Sequence, residues 1–110
     1  MLRVVLLILA VLAAGTCFAA ADSRAGDDLA LCRDRQAELQ ARAAACENLL
    51  SADRLTAKDK AIALSARGNV LLNKRDHVHA IETLSMAIDL DPDNVVALNL
   101  RGLAYERSGQ

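Results

Sequence analysis

The apolar positions of this chain fall into three regimes. Over residues 4–14 they run without a break. Leu29, Cys32, Gln36, Leu39, Ala43, Cys46 and Leu50 then recur at alternating intervals of three and four, the spacing of one face of an amphipathic helix. From Ala61 the helical period persists, but small and large residues alternate on it: Leu64, Gly68 and Leu71, then Ala80, Leu84 and Ala87. This pattern predicts two helices, over residues 61–72 and 78–89, separated by a polar turn at 73–77. Thr56-Ala-Lys-Asp59 is a capping-box-like start for the first helix, with Asp in place of the usual Glu. Asp76 is placed to cap the second, and Pro92 to end it. With a single proline, five glycines and few β-branched runs after the N-terminus, the expected class is all-α.

The first apolar run reads as an address. Arg3 is the only charge before Asp22, and small residues from Gly15 to Ala21 close the segment. A short positive start, an apolar stretch and a small-residue end make a secretory signal peptide over residues 1–21, cut after Ala21 or, nearly as well, after Ala19. An uncleaved anchor is the competing reading, although the uncharged run from Val4 to Ala21 is at the short end for a span. Cys17 follows a poor match to a lipid-attachment pattern. The expectation is export, to the periplasm or the exterior, with no membrane association after cleavage.

Without that leader, Cys32 and Cys46 are the remaining cysteines, and two thiols in an exported chain favour a disulfide. The stripe from Leu29 to Leu50 conflicts with this. In one continuous helix the two cysteines would stand about 21 Å apart, whereas a bridge needs Cα atoms within about 7 Å. Either the chain bends over residues 33–37 and a disulfide forms, or the helix runs through and both thiols pack as small core residues. The bend is favoured, because a small core gains from a staple.

The series Leu64, Gly68, Leu71, Ala80, Leu84, Ala87 and Pro92 resembles the tetratricopeptide repeat, a helix–turn–helix with a period of about 34 residues. Leucine replaces the aromatics usual at positions 64, 71 and 84, and Arg67 replaces the usual leucine before the glycine. A shift by one such period lays Leu98, Gly102 and Tyr105 over Leu64, Gly68 and Leu71. The resemblance implies antiparallel helix pairs forming a short α-solenoid. Residues 22–56 would be a helical cap or degenerate repeat, residues 57–94 a complete pair, and residues 95–110 the first helix of a second repeat. Within the cap, residues 37–52 would be the second helix of the preceding unit, with Cys46 and Leu50 at its small and large positions.

The family's usual role is to hold a peptide or helix along a concave face. In this register that face would carry Ile62, Ser65, Asn69, Leu72 and Asn73, continued by Val96, Asn99, Leu103 and Glu106 or Arg107. Some members clamp a terminal carboxylate with Lys and Asn. Asn69 matches that Asn, but Ser65 stands where the Lys would be, so the clamp is not carried over. The resemblance therefore implies a non-catalytic module that binds a protein or peptide. Leu98, Leu100, Leu103 and Tyr105 spread round the last helix, and a subunit that self-associates through that helix is the alternative.

Charge and chemistry agree with a binding role. The whole chain has a net charge of −1, and loss of Arg3 makes it more negative, so no basic stripe for nucleic acid is expected. His77 and His79 are the only histidines, and two positions apart on a helix they cannot share a metal on one face. No phosphate loop, nucleophile elbow or zinc-protease pattern is present. Neither catalysis nor a cofactor is expected.

Overall fold

A computed structural model describes residues 26–109 apart from residue 53. The leader, its cut site and Cys17 lie outside the described residues. Those residues form five helices and no strand: α1 over residues 26–33, α2 (Leu39–Ser51), α3 (Ala57–Asn73), α4 (His77–Leu90) and α5 (Val95–Arg107).

Local chemistry accounts for most boundaries. Thr56 caps α3, its hydroxyl accepting from the Asp59 N–H at 3.1 Å. The helix closes on a left-handed residue, Arg75, with φ 62°. There the Asp76 N–H donates to the Leu71 carbonyl and the Arg75 N–H to the Leu72 carbonyl, the paired bonds of a Schellman closure. Asp76 then caps α4 by accepting from the His79 N–H. Pro92 lies in the turn after α4. Asn94 caps α5, accepting from the Ala97 N–H at 3.1 Å, while its amide donates to Ser65 Oγ at 3.2 Å and ties the start of α5 to α3.

The N-terminal stripe is not one helix. Asp34 Oδ1 accepts from the Gln36 N–H and the Asp34 carbonyl from the Ala37 N–H, a local turn that competes with continued helix. Residues 34–38 therefore separate α1 from α2. The fold-back brings the Cys32 and Cys46 Cα atoms to 5.0 Å, and a disulfide joins them. The run-through helix is thus excluded. The buried face of α2 also differs from the expected one: it consists of Arg42, Ala45, Cys46 and Leu49.

Packing is built on α3, which has neighbours on both sides. Towards α4 and α5, Leu64 and Leu72 join Ala80, Leu84, Ala87, Ala97, Leu100 and Ala104 in the main core. Towards α2, Ala63 joins Cys32, Ala45, Cys46 and Leu49 in a second cluster, and Leu50 touches both. Each large aliphatic side chain removed from water contributes roughly 1.5–3 kcal/mol. Close helix approach needs small residues, and Gly68 is one: a Cβ placed there would meet Leu84 Cδ2 and Cγ at 2.5 Å. Arg67 and Arg101, equivalent positions of the two units, both reach back to the preceding helix. Arg67 pairs with Glu47 of α2 at 3.1 Å, and Arg101 donates to Ser85 of α4 at 3.3 Å.

The α4 cap carries a pH dependence. Asp76 Oδ2 lies 2.7 Å from His79 Nδ1. That hydrogen bond, foremost among the causes, holds the Asp76 carboxyl below its ordinary value of 3.8 and the His79 ring above its ordinary 6.5. The depressed carboxyl contributes stability above its unfolded value, lost as pH falls through its native one. The raised imidazole contributes fully below 6.5, and the contribution is lost as pH rises through its raised native value. Both contributions are present between roughly pH 4 and 6.5. The midpoint of thermal unfolding is therefore expected to fall slightly between pH 6 and 8. His79→Gln should flatten that slope when melts are recorded across the same range; an unchanged slope would assign it elsewhere.

Candidate binding groove

The expected concave-face residues are divided by the structure. Ile62, Ser65 and Asn69 on α3 and Val96 on α5 converge on one cavity of about 280 Å³. Ile62 and Val96 hold equivalent positions of the two units and contribute equivalent apolar walls. The other four lie elsewhere. Leu72 is buried in the main core, and Leu103 packs against that core. Asn73 is exposed and donates to the Asn69 backbone carbonyl and to Asn69 Oδ1; Asn99 is exposed on α5. The cavity thus occupies only the N-terminal part of the expected groove.

Three arginines close its far end. Arg33 at the end of α1, Arg35 in the Asp34 turn and Arg42 on α2 all line the cavity, and none is evident from the sequence. Arg42 is only 4% exposed, and its Nη2 donates to Asn69 Oδ1 at 2.9 Å. Its Nε is buried with no hydrogen-bond partner among the described residues. Burial first, then repulsion from Arg35, pushes the Arg42 guanidinium below the ordinary arginine value, with Asp34 acting in the opposite sense. Asn94 and Leu100 complete the rim and the apolar side. The signal for Arg42 is a charged residue at helical spacing from Ala45 and Leu49, three before the one and seven before the other. The stripe drawn through Leu39, Ala43 and Cys46 conceals it.

The repeat positions on α5 have a different environment from those on α3. Gly68 is filled against Leu84, whereas a Cβ at Gly102 would meet nothing within 4 Å. Leu98, equivalent to the buried Leu64, is 42% exposed, and Tyr105 is half-buried. Leu100 and Leu103, expected to share this unpaired surface, are instead covered by the chain's own core.

Among the described residues no cluster of His, Cys, Asp and Glu is arranged to hold a metal, and no helix is long and apolar enough to cross a membrane. No protein-family model, curated protein or solved structure matches this chain.

Proposed function

We propose that this protein is a non-catalytic, tetratricopeptide-like module that is exported and binds a peptide segment of a partner protein. The observation that carries this reading is the convergence of Ile62, Ser65, Asn69 and Val96 on one cavity between α3 and α5. Two of these residues are apolar and two polar, which suits a peptide whose side chains alternate in character. A disulfide in so short a chain is compatible with export. The helix pairing supports the repeat assignment, as does the recurrence, one period on, of Gly68 at Gly102, Arg67 at Arg101 and Ile62 at Val96.

A second reading, self-association, is favoured by the open face of α5 at Leu98 and Gly102. The two readings predict different variants. Val96 is exposed, so Val96→Glu leaves the core intact and places a charge at the cavity wall. It is expected to lower affinity for array-selected peptides at least about tenfold, the effect of about 1.4 kcal/mol of lost contact. Leu98→Glu should leave that affinity unchanged. If Leu98→Glu instead halves the mass measured by sedimentation while Val96→Glu does nothing, self-association is the function and the peptide groove is not.

A further inference from the structure

The arginine end of the cavity is more than a wall. We infer that it selects an acidic segment, one carrying at least two carboxylates beside an apolar residue; this rests on the peptide-binding reading above.

The argument begins with Arg42. A buried guanidinium is costly unless its charge and its donors are met, and a purely structural arginine is usually paired with a carboxylate. Arg42 has an amide partner, Asn69, and a buried Nε with no acceptor. No carboxylate among the described residues lies within ion-pair distance of it. Arg33 and Arg35 are equally without ion pairs there, and both are exposed at the same cavity. Asp34, between them in sequence, has Oδ1 engaged by the Gln36 N–H. Three cations thus face one concavity in a chain whose net charge is −1, so this local excess is not a reflection of overall composition.

Geometry and charge together define the ligand. Guanidinium groups bind carboxylates through paired N–H donors, and a concave, partly desolvated site strengthens the attraction. One carboxylate would leave two arginines unmatched, so the count favours two or more. Ile62, Val96 and Leu100 on the opposite side require an apolar neighbour. A cavity of about 280 Å³ admits a few side chains and not a folded domain. Asn69, held by Arg42 through its oxygen, keeps its NH₂ group as a donor that no hydrogen bond among the described residues uses. The occupant is therefore a short linear segment of a partner protein with Asp or Glu flanking Leu, Val or Ile.

The experiment uses the disulfide-bonded protein and an array of acetylated, amidated hexapeptides, so that no terminal charge contributes. The tightest binders are expected to hold two or more Asp/Glu beside an aliphatic residue. Exchange of those residues for Asn/Gln should weaken binding at least about tenfold. Because Arg33 and Arg35 are exposed, Arg33→Gln/Arg35→Gln leaves the fold intact and should cause a similar loss together with a weaker salt dependence. Arg42→Lys should also lose affinity, since it keeps the charge without the planar fork. The Arg42 Nε–H resonance of the wild-type protein should move on titration with the best peptide, which provides a readout independent of any variant. If peptides bind but are indifferent to the Asp/Glu exchange, the inference is wrong while the groove stands. If no peptide binds, or only inorganic polyphosphate does, both readings are overturned.

Discussion

Replacing Gly68 with alanine is expected to destabilise the protein, while the same replacement at Gly102 is expected to stabilise it. The two glycines occupy equivalent positions of successive units, each in the middle of a helix. Within a helix, Gly→Ala is favourable by about 0.8–1 kcal/mol, so propensity alone predicts stabilisation at both sites. The surroundings decide otherwise at Gly68. A new Cβ would stand 2.5 Å from Leu84 Cγ and Cδ2, and Leu84 is fully buried, with Ala80 and Ala87 on its own helix and α3 across from it. It has no free side to move into. Overpacking of this kind costs roughly 1–3 kcal/mol, so Gly68→Ala should lose about 1–2 kcal/mol net, and Gly68→Val should approach the upper end.

At Gly102 nothing lies within 4 Å, and the propensity gain should be realised in full. A change of about 1 kcal/mol moves the midpoint of a domain this size by roughly 4–8 °C, so the two alanine variants should melt on opposite sides of the wild type. Equal shifts in one direction would show that α3 and α4 do not meet across Gly68. A loss of stability at Gly102, growing with protein concentration, would show that a second copy occupies the open face.

What can be read from the sequence is what neighbouring residues decide. The start of α3 at Thr56, its closure before Asp76 and the end of α4 before Pro92 are local events, set by a hydroxyl, a carboxylate and a missing N–H. The small–large pairing of Gly68, Ala80 and Leu84 is legible too, because only close approach needs such residues at those intervals. What escapes is set by contacts remote in sequence, or by one side chain's choice of partner. The break at Asp34 hinges on that side chain turning onto its own backbone, and the apolar period runs through it without interruption. Register alone assigns Leu72 to the groove, but α5 folds against α3 as well as α4 and completes a core around it. Arg42 looks like solvated surface on a helix drawn one residue out of phase. The cavity's cationic end is hidden twice over, since it needs both the true phase of α2 and the Asp34 turn that carries Arg33 and Arg35 towards α3.

That dependence makes the disulfide the second large effect. Opening it, by reduction or by Cys32→Ala/Cys46→Ala, is expected to cost about 3 kcal/mol, the loop-entropy value for a closure of this length. The separation of the two cysteines is 14 residues. Alanine is the better replacement, because both sulfurs are fully buried and a serine hydroxyl would be left without a partner. The midpoint should fall on the order of 10–20 °C for a domain of this size. The loss should also be uneven. Cys32 Sγ lies 3.9 Å from the Ala63 carbonyl oxygen, so the bridge is the contact that seats α1 against α3. With the bridge open, α1 retains Leu29 and Leu31 as partly buried contacts, and hydrogen exchange should show residues 26–38 losing protection before α3 and α4 do. Because Arg33 and Arg35 move with that segment, affinity for acidic hexapeptides should fall in parallel, even at temperatures where α3 and α4 remain folded. A reduced protein that melts within about 2 °C of the oxidised one would mean that the Asp34 turn holds α1 in place without the bridge; the cationic end of the cavity would then be a property of the turn alone.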